Sequence, residues 1–113
     1  MTDSVLDTVK LSVGIDPSCT DFDEELIMCT NTIFVFLHQM GVGPDTVYSI
    51  TSNQNKWDEF VYDVPERECV KSYVGYKARL MFDPPSNSIL SNMLKELISE
   101  LEFRLTGGKR RDS

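Results

Sequence analysis

Raw material for catalysis is scarce in this chain. It has one histidine, His38, and three cysteines, Cys19, Cys29 and Cys69, in 113 residues. A lone imidazole inside a predicted helix, with no serine or cysteine in a recognisable motif beside it, does not make a nucleophile-base pair. The cysteines are too few and too far apart for a zinc motif, and an odd number without a signal peptide does not describe a secreted disulfide scaffold. Reduced, mostly buried thiols are expected. No apolar run approaches the roughly 20 residues that cross a bilayer. The opening MTDSVLDTVK has acids where a signal peptide has a basic region, so synthesis in a cytoplasm is expected. GVGP at 41–44 lacks the following Gly-Lys-Ser/Thr of a phosphate loop and sits at a helix end. Asp21, Asp23, Glu24 and Glu25 lack the spacing of a calcium loop and read as an acidic first helical turn, as do Asp58 and Glu59. No catalytic, cofactor-binding or metal-ligating residue is assigned.

Basic residues are outnumbered too. Eleven Lys and Arg against 18 Asp and Glu give a formal charge of −7, which repels a polyanion. The deficit is uneven: residues 1–68 hold 13 acids and 3 bases, a balance of −10, whereas residues 69–113 hold 5 acids and 8 bases, a balance of +3. So lopsided a chain suits head-to-tail assembly between unlike surfaces, the alternative being charges scattered at random over a solvated surface. What is plentiful is ordinary folding material, 41% hydrophobic and 26% charged, enough for one core and not for two. One domain is expected over residues 1–105, followed by a flexible basic C-terminal tail, 106–113.

Apolar residues recur at steps of three and four, so the expected fold is all-α, a compact bundle of about four to five helices. Val5, Leu6, Val9 and Val13 make a short first helix, with Ser4 or Asp3 to cap it and Gly14 to stop it. Phe22, Leu26, Cys29, Ile33, Phe36, Leu37 and Met40 line a second. Thr20 or Asp21 would cap its start, while Gly41, Val42, Gly43 and Pro44 end it. In residues 45–65, TVYSITS alternates enough for a short extended stretch. NQNKWDEFVYDVP offers an Asn cap, two first-turn acids and then Trp57, Phe60 and Val61, a loop carrying one short helix. These aromatics either pin the loop to the core or stand out as anchors, which makes Trp57 and Phe60 candidate partner contacts.

From Glu66, Val70, Tyr73, Val74, Lys77, Ala78 and Met81 form one stripe that Cys69, Tyr76 and Leu80 widen, so this helix is expected to make contact on two sides. Gly75 within it marks a place where another backbone approaches closely. The last helix carries Ile89, Leu90, Met93, Leu94, Leu97, Ile98, Leu101 and Leu105 in helical register. Together these faces are broader than one small core needs. Between the last two helices lies LMFDPPSNSIL, 80–90. Proline disfavours helical angles in the residue before it and lacks an N–H, so Pro84 expels Asp83 from the helix and Pro85 does the same to Pro84. The helix must stop near Phe82, and Ser86, Asn87 or Ser88 can cap the next. Phe82, Asp83, Pro84 and Pro85 therefore form a stiff corner in a C-terminal helical hairpin.

The acidic helix start leading to Gly-Val-Gly-Pro, the Trp-Asp-Glu-Phe turn, the Tyr-Val-x-x-Lys-x-Arg-Leu-x-Phe-Asp-Pro-Pro corner and the terminal leucine-rich helix, taken in order, resemble the small head-tail connector proteins of long-tailed bacteriophages. The resemblance covers roughly residues 15–105. It implies an all-helical adaptor, without enzymatic activity or cofactor, that forms a homo-oligomeric ring, typically of 12 copies, beneath the portal protein. That ring would join the portal to a downstream stopper or tail-completion protein and leave an axial channel through which genomic DNA passes. The implied location is the head-tail junction of the virion, after synthesis in the host bacterial cytoplasm and with no membrane partner. A family habit of docking a C-terminal segment on the portal makes Lys109, Arg110 and Arg111 candidate anchors. The competing class is a small cytoplasmic helical binding module of the antitoxin or transcription-regulator type. Such a module would present a basic recognition helix, whereas the polar face of the last helix carries Glu96, Glu100 and Glu102 beside Lys95 and Arg104.

Overall fold

The computed structural model describes residues 4–60 and 64–110, with the side chains of 64–65 and 107–110 left out of the description. Helix α1, Val5–Ser12, begins where the Ser4 hydroxyl accepts the Asp7 N–H at 3.2 Å, filling one of the donor sites that a helix start leaves open. Asp3, the other cap considered, lies outside the described residues. Helix α2, Asp23–Gln39, ends in a Schellman turn: the Val42 N–H reaches the Leu37 carbonyl at 2.9 Å and the Gly41 N–H reaches that of His38 at 3.0 Å. Gly41 adopts φ 81 to make this possible. Gly43, at φ 98, lies so close to the Phe60 ring that a Cβ there would collide with it. Helix α3, Val64–Phe82, and helix α4, Ser88–Arg110, complete four α-helices, with no strand among the described residues.

Helix α3 is the centre of the molecule. Helices α1 and α2 pack on it and on each other, the segment around Trp57 touches it, and α4 makes its extensive contact with α3 alone. The expected contact on two sides follows from this placement. Val70, Tyr73, Val74 and Ala78 are buried, but Met81 at the end of the predicted stripe is exposed. Lys77 lies over the Phe36 ring at 5.3 Å. At Gly75 the close neighbour is the Ser12 side chain of α1, so the missing Cβ sets how closely α1 and α3 approach.

Two local expectations need correction. Neither Thr20 nor Asp21 caps α2: the residue before the helix is Phe22, without a side-chain cap, and the Asp23 N–H bonds the Thr20 carbonyl at 3.3 Å. The Asp23 carboxylate is drawn instead to Lys10, 2.7 Å away. TVYSITS runs as irregular loop backbone in which the Asn31 side chain takes both polar groups of Ile50, accepting from its N–H at 2.8 Å and donating to its carbonyl at 3.1 Å. Among the described residues an isolated bridge joins Ser4 and Lys56. The expected short helix is a single 3-10 turn, Trp57–Glu59, preceded by extended Lys56. Asn55 does not cap it, since its side-chain Oδ1 accepts from the Thr51 and Ser52 N–H groups. Val61 lies outside the described residues.

At the corner, α3 ends at Phe82, and Arg79 donates from Nε to the Asp83 carbonyl at 3.1 Å. Asn87 then caps α4, its Oδ1 accepting from Ile89 and Leu90 at 2.8 and 3.1 Å. The predicted break at residue 106 is absent: the backbone stays helical through Gly107 and Gly108 to Arg110. Each glycine weakens a helix by about 1 kcal/mol without forbidding it. Leu105, buried just before them, ties this end of the helix to the core.

Candidate interaction surfaces

Burial divides the apolar register of α4 lengthwise. Leu94, Ile98 and Leu105 are buried and Leu101 is half-buried, all on the side that meets α3. Ile89, Leu90, Met93 and Leu97 fall on the adjoining arc and stand in solvent, Ile89 at 74% and Met93 at 53% exposure. On the hidden side, the Tyr73 hydroxyl donates to Glu102 Oε2 at 3.0 Å, a polar pin between α3 and α4. Burial, and then the neighbouring Glu102 carboxylate, push the Tyr73 phenol above its ordinary range.

Helix α2 has a second solvent stripe. Asp21 precedes it, and Glu24, Glu25, Met28, Thr32, Val35 and Gln39 follow at helical spacing, all exposed. Met28 is 71% exposed. This stripe is acidic at its N-terminal end and contains no base. His38 is half-buried in the last turn of the same helix, and Cys19, Cys29 and Cys69 are free and half-buried. Burial raises the Cys29 thiol above its usual range. Among the described residues no group of three or more His, Cys, Asp or Glu is arranged to hold a metal ion, and no helix is long and apolar enough to cross a membrane.

Trp57 and Phe60, considered as partner contacts, are 1% and 6% exposed. Trp57 donates from Nε1 to the Thr8 hydroxyl at 3.0 Å, and the Phe34 ring stands 4.9 Å from Phe60, 5.0 Å from Tyr48 and 6.2 Å from Trp57. An aromatic cluster this enclosed has no face left for a partner, so the pinning alternative is the one that fits the packing. Of the helix-stop residues Gly43 lies against the Phe60 ring, whereas Gly41 and Pro44 are exposed, and Phe82 makes an edge contact with Phe22, at the start of α2, at 5.8 Å. Of the basic residues at the C-terminus, Lys109 and Arg110 continue the backbone of α4 and Arg111 lies outside the described residues.

Lys10 escaped the sequence reading. Its ammonium is buried, donates to the carbonyls of Pro17 at 3.0 Å and Cys19 at 2.8 Å, and pairs with Asp23. It fastens the connection between α1 and α2 from inside. The available signal was a lysine on the apolar stripe of α1, four residues after Leu6 and three before Val13.

These features describe a small helical scaffold whose interior polar groups secure its own connections and whose outer helix faces are partly apolar. The model of the phage connector protein family matches residues 5–112. The chain therefore belongs to that family, a family of structural rather than enzymatic proteins of the phage head-tail connector. No curated protein and no solved structure is similar enough to the chain to be matched with it.

Proposed function

We propose that the protein is a head-tail adaptor of a phage virion that assembles as a homo-oligomeric ring, of 12 copies, beneath the portal. The ring joins the capsid to a downstream stopper or tail-completion protein and leaves a channel for the genome. The observation that carries this reading is the family match, which covers residues 5–112. The exposed apolar arc of α4 supports it, because a lone soluble chain gains nothing from keeping Ile89, Leu90, Met93 and Leu97 in water. A transcription-regulator reading has no such support, since that arc is apolar where a recognition helix is basic.

In this reading the basic residues Lys109, Arg110 and Arg111 contact the portal, and the acid-rich residues 1–68 face the channel, where like charge lets DNA slide. The Pro84-Pro85 corner fixes the angle between α3 and α4 that the ring needs. The test is to mix the purified chain with portal rings and to examine the product by native mass spectrometry and electron microscopy. A stoichiometric ring on the portal supports the reading, and its absence over a range of concentrations and salt rejects it. Replacing both prolines with Ala should leave the monomer helical and impair the ring. Carboxylates of residues 1–68 found on the outer wall of the imaged ring would remove the channel role.

A further inference from the structure

We propose that copies of this chain join head to tail through two unlike helix faces, the outer arc of α4 on one copy seating against the outer stripe of α2 on the next. This deepens the ring reading and rests on it. The α4 arc supplies Ile89, Leu90, Met93 and Leu97, and the α2 stripe supplies Met28 and Val35.

Size is the first argument. From their fractional exposures the four α4 side chains leave roughly 400 Å² of apolar surface in water, as large as the whole largest patch of a typical monomer. A standard interface covers about 800 Å² on each partner, and somewhat over half of that is apolar. The arc thus provides the apolar share of one such face.

Charge selects the occupant. Asp21, Glu24 and Glu25 sit on the α2 stripe with no base among them, so two α2 stripes brought together across a two-fold axis would repel. The charged side chains of α4 are mixed in sign, but Arg104, exposed and seven residues after Leu97, lies on the side of the arc beside Glu100. Setting α4 of one copy on α2 of another gives the α2 acids a cation that a second α2 stripe does not supply.

Topology is the third argument. Helices α2 and α4 each rest on α3 and share no extensive contact, so both faces stay available at once. A ring needs that, because a face that pairs with itself closes after two copies, whereas two different complementary faces repeat around an axis.

Two variants separate the possibilities. Met28→Glu with Val35→Glu spoils the α2 stripe, and Ile89→Glu with Met93→Glu spoils the α4 arc; all four sites are exposed, so the fold should survive, as circular dichroism can verify. In sedimentation velocity the wild-type chain should form species larger than a dimer, each variant alone should be monomeric, and an equimolar mixture should give a one-to-one dimer and nothing larger. Should the glutamates unfold the chain, the milder Met28→Gln and Met93→Gln are each expected to weaken self-association about tenfold. The proposal is overturned if the α2 variant alone still dimerises, if either variant assembles like wild type, or if wild type stays monomeric up to about 1 mM. Assembly in this pattern by a chain that ignores portal rings would keep the docking and remove the connector reading. Rings on a portal formed equally well by both variants would do the reverse.

Discussion

The α1–α2 side of α3 and the α4 side are held in different ways. On the first, two helices and a long connection converge on α3, with the indole of Trp57, the ring of Phe34 and the ammonium of Lys10 all enclosed. On the second, one long helix rests on α3 through a narrow line of side chains and keeps a comparable line in solvent. Both sides have strong helical periodicity, so periodicity does not distinguish them. What differs is how many neighbours share the burial. A helix that meets two or three elements hides a wide arc, and one that meets a single element hides about half of it.

The sharpest way to break this contrast is a matched pair of truncations. Trp57→Ala empties an enclosed site and removes the indole bond to the Thr8 hydroxyl, for an expected loss of about 4 kcal/mol in urea unfolding. Leu97→Ala on the outer arc of α4 should stay within about 0.5 kcal/mol. Equal losses would show that the two sides do not differ. Next in size, Asp23→Ala leaves the Lys10 ammonium buried with only two carbonyls, and should cost about 3 kcal/mol by the same measurement. Ile98→Ala, on the inner line of α4, is expected to cost about 2 kcal/mol. Amide exchange should then show α4 opening at lower free energy than α1 or α2.

Smaller effects sharpen the comparison through pH. Tyr73→Phe removes the pin to Glu102, worth about 1 kcal/mol at neutral pH. Because the folded phenol titrates above the unfolded one, its contribution is intact below about pH 10 and fades as pH rises further, so the variant should show a weaker alkaline decline in melting temperature. The last is Glu59. The Tyr48 hydroxyl, 2.7 Å away, and then Asn55 hold its carboxyl below the ordinary range. A depressed folded value gives stability that is present above the unfolded pKa and lost as pH falls through the folded one. Glu59→Gln should therefore flatten the acid side of the melting curve slightly, measured between about pH 6 and 3.

Local chemistry carried most of the fold. Helical register, the glycine stop after α2 and the consecutive prolines each act within a few residues, so the four helices and the cornered hairpin were legible from spacing alone. Pairings over distance were not. Asn31 clamping Ile50, 19 residues on, depends on where two backbones meet, and no periodicity records it. Lys10 was hidden for a related reason, since its acceptors are carbonyls of a loop whose path the residue types do not set. The end of α4 was misplaced because two glycines weaken a helix and only tertiary contact decides whether it continues. For the candidate surface, the sequence showed more apolar area than a small core needs. Which half faces outward was fixed only by the position of α3.

The Asn31 amide has an effect beyond shaping one turn. Extended backbone with free polar groups is a template on which stray polypeptide can add as another strand, a hazard that grows when many identical molecules are crowded together. Here a side chain from α2 consumes both valences of Ile50, and Asn55 consumes the amides of Thr51 and Ser52. The irregular stretch is thereby insulated against aggregation, and contact between crowded molecules is left to helices.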